Sequence, residues 1–196
     1  MNKTTDRQLP DGFLMKFENA LEQIIIDIPT SSAKKSSDPA YGAKAFSAGA
    51  ARDSALLSGT LSIIPGPAAI VTIFPDLLGV WRLQAQLVSD IAAAHGKSNA
   101  LKKEVMMVCL FDHVCSDAMK DILARGGERI IVSSVSQQAL AHALHVLTGT
   151  LIQRILSRVV ARWIPIVGAG ALAAYSYNDT KHVGKTAQKY FSELPK

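Results

Sequence analysis

Apolar residues recur at helical spacing along most of the chain, and this pattern constrains the fold more than any other feature. From Phe13 to Ile28 they fall three or four residues apart, and the run ends at Pro29. Apolar residues continue at the same spacing from Leu140 to Val159, over several helical turns. The sequence does not contain several short alternating runs joined by Asn-Gly or Asp-Gly turns, the pattern typical of β-hairpins. It therefore predicts an all-α fold.

Capping and helix-breaking residues divide the chain into predicted helices. The polar stretch 30–38 (TSSAKKSSD) predicts a linker, and Asp38-Pro39 predicts an N-cap followed by a first-turn proline. His95-Gly96 predicts the end of a helix, because glycine readily adopts the left-handed cap conformation. The last helix is predicted from about Ala169 to Glu193. Further boundaries are predicted at Pro65-Gly66-Pro67, Pro75-Asp76, Ser98 or Asn99, Gly126-Gly127, and Pro165 to Gly168.

Length and composition limit the class of protein. A chain of 196 residues suits one domain, and 48% hydrophobic with 19% charged residues excludes a disordered or fibrous protein. Its two cysteines exclude a disulfide scaffold and fit a reducing compartment. The N-terminal dozen residues lack the basic flank and apolar run of a secretory signal, which favours a cytoplasmic location. Residues 1–38 are interpreted as an N-terminal helix with a polar linker, and residues 39–196 as the main helical domain.

Three stretches contain no formally charged residue, and they span Ser54–Pro75, Ile130–Gln153 and Trp163–Asn178. A membrane-spanning helix needs about 20 consecutive apolar residues. Prolines and glycines interrupt the first and third stretches, and serine, glutamine and histidine make the second too polar for lipid. The first and third instead predict helical hairpins, here called elbows, which either pack in the core or dip into one leaflet. The elbow residues are Pro65, Gly66, Pro67 and Asp76 in the first, and Pro165 and Gly168 in the second.

Asp76 has two interpretations. Because it follows Pro75, its carboxylate suits the N-cap of a helix from Leu77 to His95, where it would accept bonds from free backbone N–H groups. The other interpretation is a proton or cation site at the elbow.

The net charge of +5 arises in the last quarter of the chain. Residues 150–196 hold 7 of the 21 basic and 2 of the 16 acidic residues, which leaves 14 of each in residues 1–149. The basic side chains form two rows at intervals of four residues, and these flank the third charge-free stretch, which has Trp163, Tyr175 and Tyr177 near its edges. The predicted lipid- or partner-binding residues are Arg154, Arg158, Arg162, Trp163, Tyr177, Lys181, Lys185 and Lys189.

Basic rows beside an apolar hairpin, with aromatic residues at the boundary, are typical of a segment that lies on anionic lipid. The alternative is that both rows are ordinary solvated helix faces. Nucleic acid is not expected as a partner, because the aromatic residues lie at the apolar edge rather than among the lysines. In the last helix, Val183, Ala187 and Tyr190 are expected to dock on the bundle, while the three lysines stay exposed.

A second group of residues suggests an enzyme. Cys109, His113 and Asp117 recur every four residues on one face of a predicted helix, a spacing that suits metal ligands. His142 or His145 could complete such a site, which would make the protein a metal-dependent hydrolase. The alternative is a buried Cys109 and a surface pair of His113 with Asp117. The sequence contains no nucleotide-binding or nucleophile-elbow motif, and no cofactor is expected.

Small residues, prolines and their spacing over residues 50–192 resemble the EcsC family. The matching residues are Leu57-Ser58-Gly59, Pro65-Gly66-Pro67, Asp76-Leu77-Leu78, Ile91-Ala92-Ala93, His95-Gly96, Ile164 to Ala169, Asn178, Val183-Gly184, Ala187 and Tyr190-Phe191. The family usually has Tyr-Gly at the position of His95-Gly96. The resemblance implies an all-helical bacterial protein, in a family named for a protein encoded beside an ABC transporter, and it makes residues 39–196 an EcsC-like domain. It implies no catalytic residues.

Together, these features predict a non-enzymatic helical protein at the periphery of the inner membrane. Its expected partner is an anionic lipid surface or a membrane protein such as a transporter. A soluble oligomeric scaffold, in which a homo-oligomer buries one of the elbows, is the remaining alternative.

Overall fold

The protein is an all-α helical bundle. The computed structural model describes residues 12–60, 69–114, 137–161 and 168–195, and every regular element in these ranges is a helix. A 3₁₀ turn at Ser98–Ala100 lies between the third and fourth α-helices. The α-helices in this part of the chain are α1 (Phe13–Ile26), α2 (Pro39–Thr60), α3 (Ala69–Ala94), α4 (Lys103–Phe111), α5 (Gln137–Ala161) and α6 (Gly168–Glu193).

One hydrophobic core joins these helices, and aromatic rings run through it. The Trp81 ring in α3 packs edge-on against Phe17 of α1 and Phe111 of α4, with ring centroids 5.8 and 5.5 Å apart. The predicted apolar faces of α1 and α5 point into this core, which confirms their helical period. Burying such side chains contributes about 1.5–3 kcal/mol each, so this core is the main source of stability.

Small residues let α2 and α6 pack closely. Ser58 and Ser176 share a buried hydrogen bond between their hydroxyl oxygens at 2.6 Å. Two or three turns further on, Gly184 lies directly against Ser47. Because these pairs run in opposite directions along the two helices, α2 and α6 are antiparallel.

The predicted linker and the N-terminus of α2 are confirmed. Tyr41 donates its backbone N–H to the Asp38 carboxylate at 3.0 Å, so Asp38 caps the helix that begins at Pro39. The linker lies along α3, where the Ser31 hydroxyl donates to the Asp90 carboxylate at 2.6 Å. The backbone N–H of Ser36 also donates to the Ala94 carbonyl at 2.9 Å. The polar segment is therefore fixed on the bundle.

The predicted end of α3 is also confirmed. Gly96 has a φ of +67°, the left-handed conformation that favours glycine. Its backbone N–H donates to the Ala93 carbonyl, and that of Lys97 donates to the Ala92 carbonyl, both at 2.8 Å. These two bonds form a Schellman motif.

Lys97 links this turn to the end of α6. Its Nζ donates to the carbonyl oxygens of Phe191 and Leu194 at 2.7 and 2.6 Å, where the helix dipole also favours a cation. We expect Lys97→Met to lower the free energy of unfolding by about 1–2 kcal/mol, measured by urea denaturation. The exposed Lys102 provides the control, and an equal loss in Lys102→Met would contradict a capping role.

The prediction that Asp76 caps a separate helix is wrong. Helix α3 continues from Ala69 to Ala94 with Pro75 inside it, so Asp76 occupies an interior, half-buried position. Proline removes only one backbone donor, and the flanking Phe74 and Leu77 pack against the core on both sides of it. This packing holds the helix through the proline.

The predicted helix from Ser98 or Asn99 also has different bounds. Leu101 and Lys102 are extended, so α4 begins only at Lys103. It ends at Phe111, and Val114 then donates to the Phe111 carbonyl in a tighter turn. The segment predicted to reach Ala124 and Gly126-Gly127 lies outside the described residues from position 115 onward.

Candidate functional site

The exposed face of α6 carries a row of three lysines. Lys181, Lys185 and Lys189 are exposed, whereas Val183 and Ala187 on the opposite side are fully buried. Tyr190 is partly buried against the core. The predicted orientation of this helix is therefore confirmed. The burial follows from the apolar period, which places one side of the helix against α2 and α3.

Aromatic side chains lie next to the lysine row, toward the N-terminus of α6. The Lys181 ammonium is 5.6 Å from the centroid of the Tyr177 ring, within the range of a cation–π contact. Tyr175 is 38% exposed. The exposed surface here combines positive charge with aromatic rings.

The acidic residue nearest to this row is turned away from it. Asp179 is the one acid between positions 168 and 192, and its side chain is 10% exposed. His113, in the turn after α4, contacts it, with Nε2 and Oδ1 2.5 Å apart. The Gln84 amide of α3 donates to Asp179 Oδ2 at 2.8 Å and to the Thr180 hydroxyl at 3.1 Å. We call His113, Gln84, Asp179 and Thr180 the polar cluster.

The polar cluster has two consequences. It holds the turn after α4 and helix α3 against α6, because each of these elements supplies one partner of the carboxylate. It also holds the Asp179 carboxylate against partners inside the bundle, away from the exposed lysine row. The His182 ring lies beside the cluster, 5.6 Å from the His113 ring.

The structure describes some of the other predicted basic and aromatic residues and not the rest. Arg154 of α5 donates from Nη2 to the Val114 carbonyl at 3.0 Å, so it fastens α5 to the turn after α4. The side chain of Arg158 lies outside the described part, as do Arg162 and Trp163. The elbow residues Pro65, Gly66, Pro67 and Pro165 also lie outside it, whereas Gly168 is the first residue of α6.

The structure describes only part of the predicted metal site. Cys109 faces the core, and burial, together with the nearby Asp112 carboxylate, raises the pKa of its thiol to about 12. The free thiol is therefore protonated at neutral pH and is a poor nucleophile. His113 lies past the end of α4 and pairs with Asp179, and its predicted partner Asp117 lies outside the described residues.

The distal histidines belong to another surface. His142 is exposed on α5, and His145 lies 3.4 Å from the Glu18 carboxylate of α1. Among the described residues, no three His, Cys, Asp or Glu side chains are grouped to hold a metal ion.

Asp179 and Gln84 are the site residues that the sequence interpretation missed. A signal for Asp179 was present, because it shares the face of Ser176, Val183 and Ala187 at intervals of three and four residues. A carboxylate on a buried helix face requires a partner from another element. The sequence does not indicate which histidine or amide supplies it.

Comparison with models of known protein families, with curated proteins and with solved structures finds no match to this chain. The resemblance to the EcsC family stays a prediction. None of the helices in the described ranges combines the length and apolar character needed to cross a bilayer.

Proposed function

We propose that the protein is a peripheral, non-enzymatic membrane-binding module, and that α6 binds anionic lipid through its lysine row. The observation that carries this proposal is the exposure of Lys181, Lys185 and Lys189 on one face, with Asp179 withdrawn into the polar cluster. That face carries three exposed lysines, and its one exposed acid within α6 is Glu193 at the C-terminal end of the row.

The spacing of the lysines favours an extended anionic surface over a single phosphate. Eight residues separate Lys181 from Lys189, which corresponds to about 12 Å along the helix axis. The three ammonium groups therefore meet several lipid headgroups more easily than they converge on one ligand. Each basic side chain near an anionic membrane contributes about 1 kcal/mol, and salt screens this attraction.

The resemblance to the EcsC family supports the same proposal from the sequence. It implies a bacterial protein, whose basic face would meet the cytoplasmic leaflet of the inner membrane. We propose lipid as the direct partner, and a membrane protein such as a transporter becomes the partner if vesicles of lipid alone do not bind.

The first test replaces the three lysines by glutamine. We expect wild-type protein to float with vesicles containing phosphatidylglycerol but not with phosphatidylcholine vesicles. In the triple variant, binding at low salt should fall at least tenfold, because three surface charges are lost while the buried side of α6 is unchanged. Circular dichroism should show the same helix content and the same midpoint of thermal unfolding within a few degrees.

A matched variant controls for net charge. Lys34, Lys35 and Lys102 are also exposed, and replacing them by glutamine removes the same charge from other parts of the bundle. This control should retain nearly full vesicle binding. The proposal fails if wild-type protein does not bind anionic vesicles at low salt, or if the two triple variants lose binding equally.

A further inference from the structure

A histidine lies within the lysine row of α6. His182 is exposed, and it follows Lys181 directly. It also precedes Lys185 by three residues, a spacing that places two side chains next to each other on one helix face. Histidine is the side chain whose charge ordinarily changes between about pH 5 and pH 8. The lysine row therefore contains one position at which the charge depends on pH.

The carboxylate nearest to His182 along the helix has partners inside the bundle. Asp179 lies three residues before His182, but its Oδ1 is 2.5 Å from His113 Nε2, and its Oδ2 accepts from the Gln84 amide at 2.8 Å. The neighbour of the His182 ring on that side is the His113 ring, with the two centroids 5.6 Å apart. In the part of the chain that the structure describes, no carboxylate forms an ion pair with His182.

The other charged groups around His182 are lysines, or acids that lie further away. Glu193, also on α6, is eleven residues further along, which corresponds to about 16 Å. In the turn after α4, Asp112 lies near the Cys109 thiol, where it adds to the effect of burial in raising the pKa of that thiol. Helices α2 and α3 pack on the buried side of α6, and their described polar contacts with it come from hydroxyl and amide groups. The surroundings of His182 on the exposed face are thus mainly positive.

Binding to anionic lipid is coupled to protonation of a histidine on the bound face. Lipid phosphates attract a protonated imidazole, and by linkage the protonated protein binds those phosphates more tightly. One added positive charge near an anionic membrane strengthens binding about fivefold. The gain develops as the pH falls, and it is lost at higher pH, where imidazole is neutral.

We infer that mild acidification strengthens the binding of α6 to anionic lipid, because His182 then adds a fourth positive charge to the lysine row. This inference rests on the proposed function and adds its regulation by pH. The protein then binds an acidified membrane surface more tightly than a neutral one.

The test measures flotation with phosphatidylglycerol vesicles at about pH 7.5 and about pH 5.5, at one fixed ionic strength. The phosphodiester of this lipid stays ionised between these values, so a change in binding reports a change in the protein. We expect wild-type protein to bind about fivefold more tightly at the lower pH. In His182→Gln this gain should fall below about twofold, while binding at the higher pH stays the same, because glutamine and neutral imidazole are both uncharged.

Two further variants make the measurement specific to this position. His142 is also exposed but lies on α5, and His142→Gln should keep the full gain at the lower pH. His182→Lys should bind at the higher pH as tightly as wild-type protein binds at the lower pH, because lysine is charged at both. Circular dichroism should show the same helix content for every variant at both pH values.

Failure of this inference is distinguishable from failure of the proposed function. An equal gain in wild-type protein and in His182→Gln would overturn the inference. So would a gain that His113→Gln loses and His182→Gln keeps, because the proton would then act inside the polar cluster. Wild-type binding that does not change with pH would also overturn it, but would leave the proposed function standing. Absence of binding at both pH values would remove the proposed function as well.

Discussion

Replacing Gly184 with alanine is expected to lower the free energy of unfolding by about 1–3 kcal/mol. The added Cβ would overlap the Ser47 hydroxyl and lie 2.9 Å from the Ser47 Cβ, which is fixed to the α2 backbone. Overpacking of this kind costs about 1–3 kcal/mol. Displacing the Ser47 hydroxyl also breaks its bond to the Ala43 carbonyl, at a cost of about 1 kcal/mol. The higher helix propensity of alanine returns only about 1 kcal/mol.

Gly149 provides the matched control for this substitution. It also lies inside an α-helix, but a Cβ there would meet no atom within 4 Å. Gly149→Ala should therefore raise stability by up to about 1 kcal/mol in urea denaturation. The double variant Ser47→Gly with Gly184→Ala should recover most of the lost stability, because the clashing side chain is gone. A stability gain in Gly184→Ala alone would show that α2 and α6 do not pack as described.

The sequence predicts the helices well where local chemistry decides their bounds. Asp38-Pro39 and His95-Gly96 work through bonds within a few residues, and both boundaries are found as predicted. The predicted helix boundary at Pro75 is wrong, because the rule that proline ends a helix takes no account of tertiary packing. The core contacts of Phe74 and Leu77 hold α3 through the proline, and these contacts depend on helices far along the chain.

Gly184 and Asp179 show what the sequence could not predict. Considered alone, Gly184 only weakens a helix, whereas in the bundle it allows α2 to approach α6. The pairing of Asp179 with His113 joins residues 66 positions apart, and helical periodicity gives no information about such distances. By contrast, the exposure of Lys181, Lys185 and Lys189 was predictable, because the period of one helix sets its inner and outer faces.

Replacing Asp179 with alanine is expected to lower the free energy of unfolding by about 3 kcal/mol. The substitution leaves the Gln84 amide and the His113 imidazole without their carboxylate partner, and each partly buried polar group costs about 1–3 kcal/mol when unpaired. Three elements meet at this carboxylate, so the loss should appear as a lower denaturant midpoint for the whole bundle. Below the unfolding transition, hydrogen exchange should show the local effect of the substitution. The amide hydrogens of residues 112–114, in the turn after α4, should exchange faster than in wild-type protein.

A double-mutant cycle separates the contact between His113 and Asp179 from the general effect of truncating a side chain. Asp179→Asn keeps an oxygen that can accept from Gln84 but loses the charge that faces His113, so about half of the destabilisation should remain. In combination with His113→Gln, the two substitutions should cost about 1–3 kcal/mol less than the sum of the single variants, because they remove one shared interaction. Additive losses would mean that His113 and Asp179 do not stabilise each other. The claim that His113 holds the Asp179 carboxylate away from the lysine row would then be wrong, even if the lysine variants lose lipid binding.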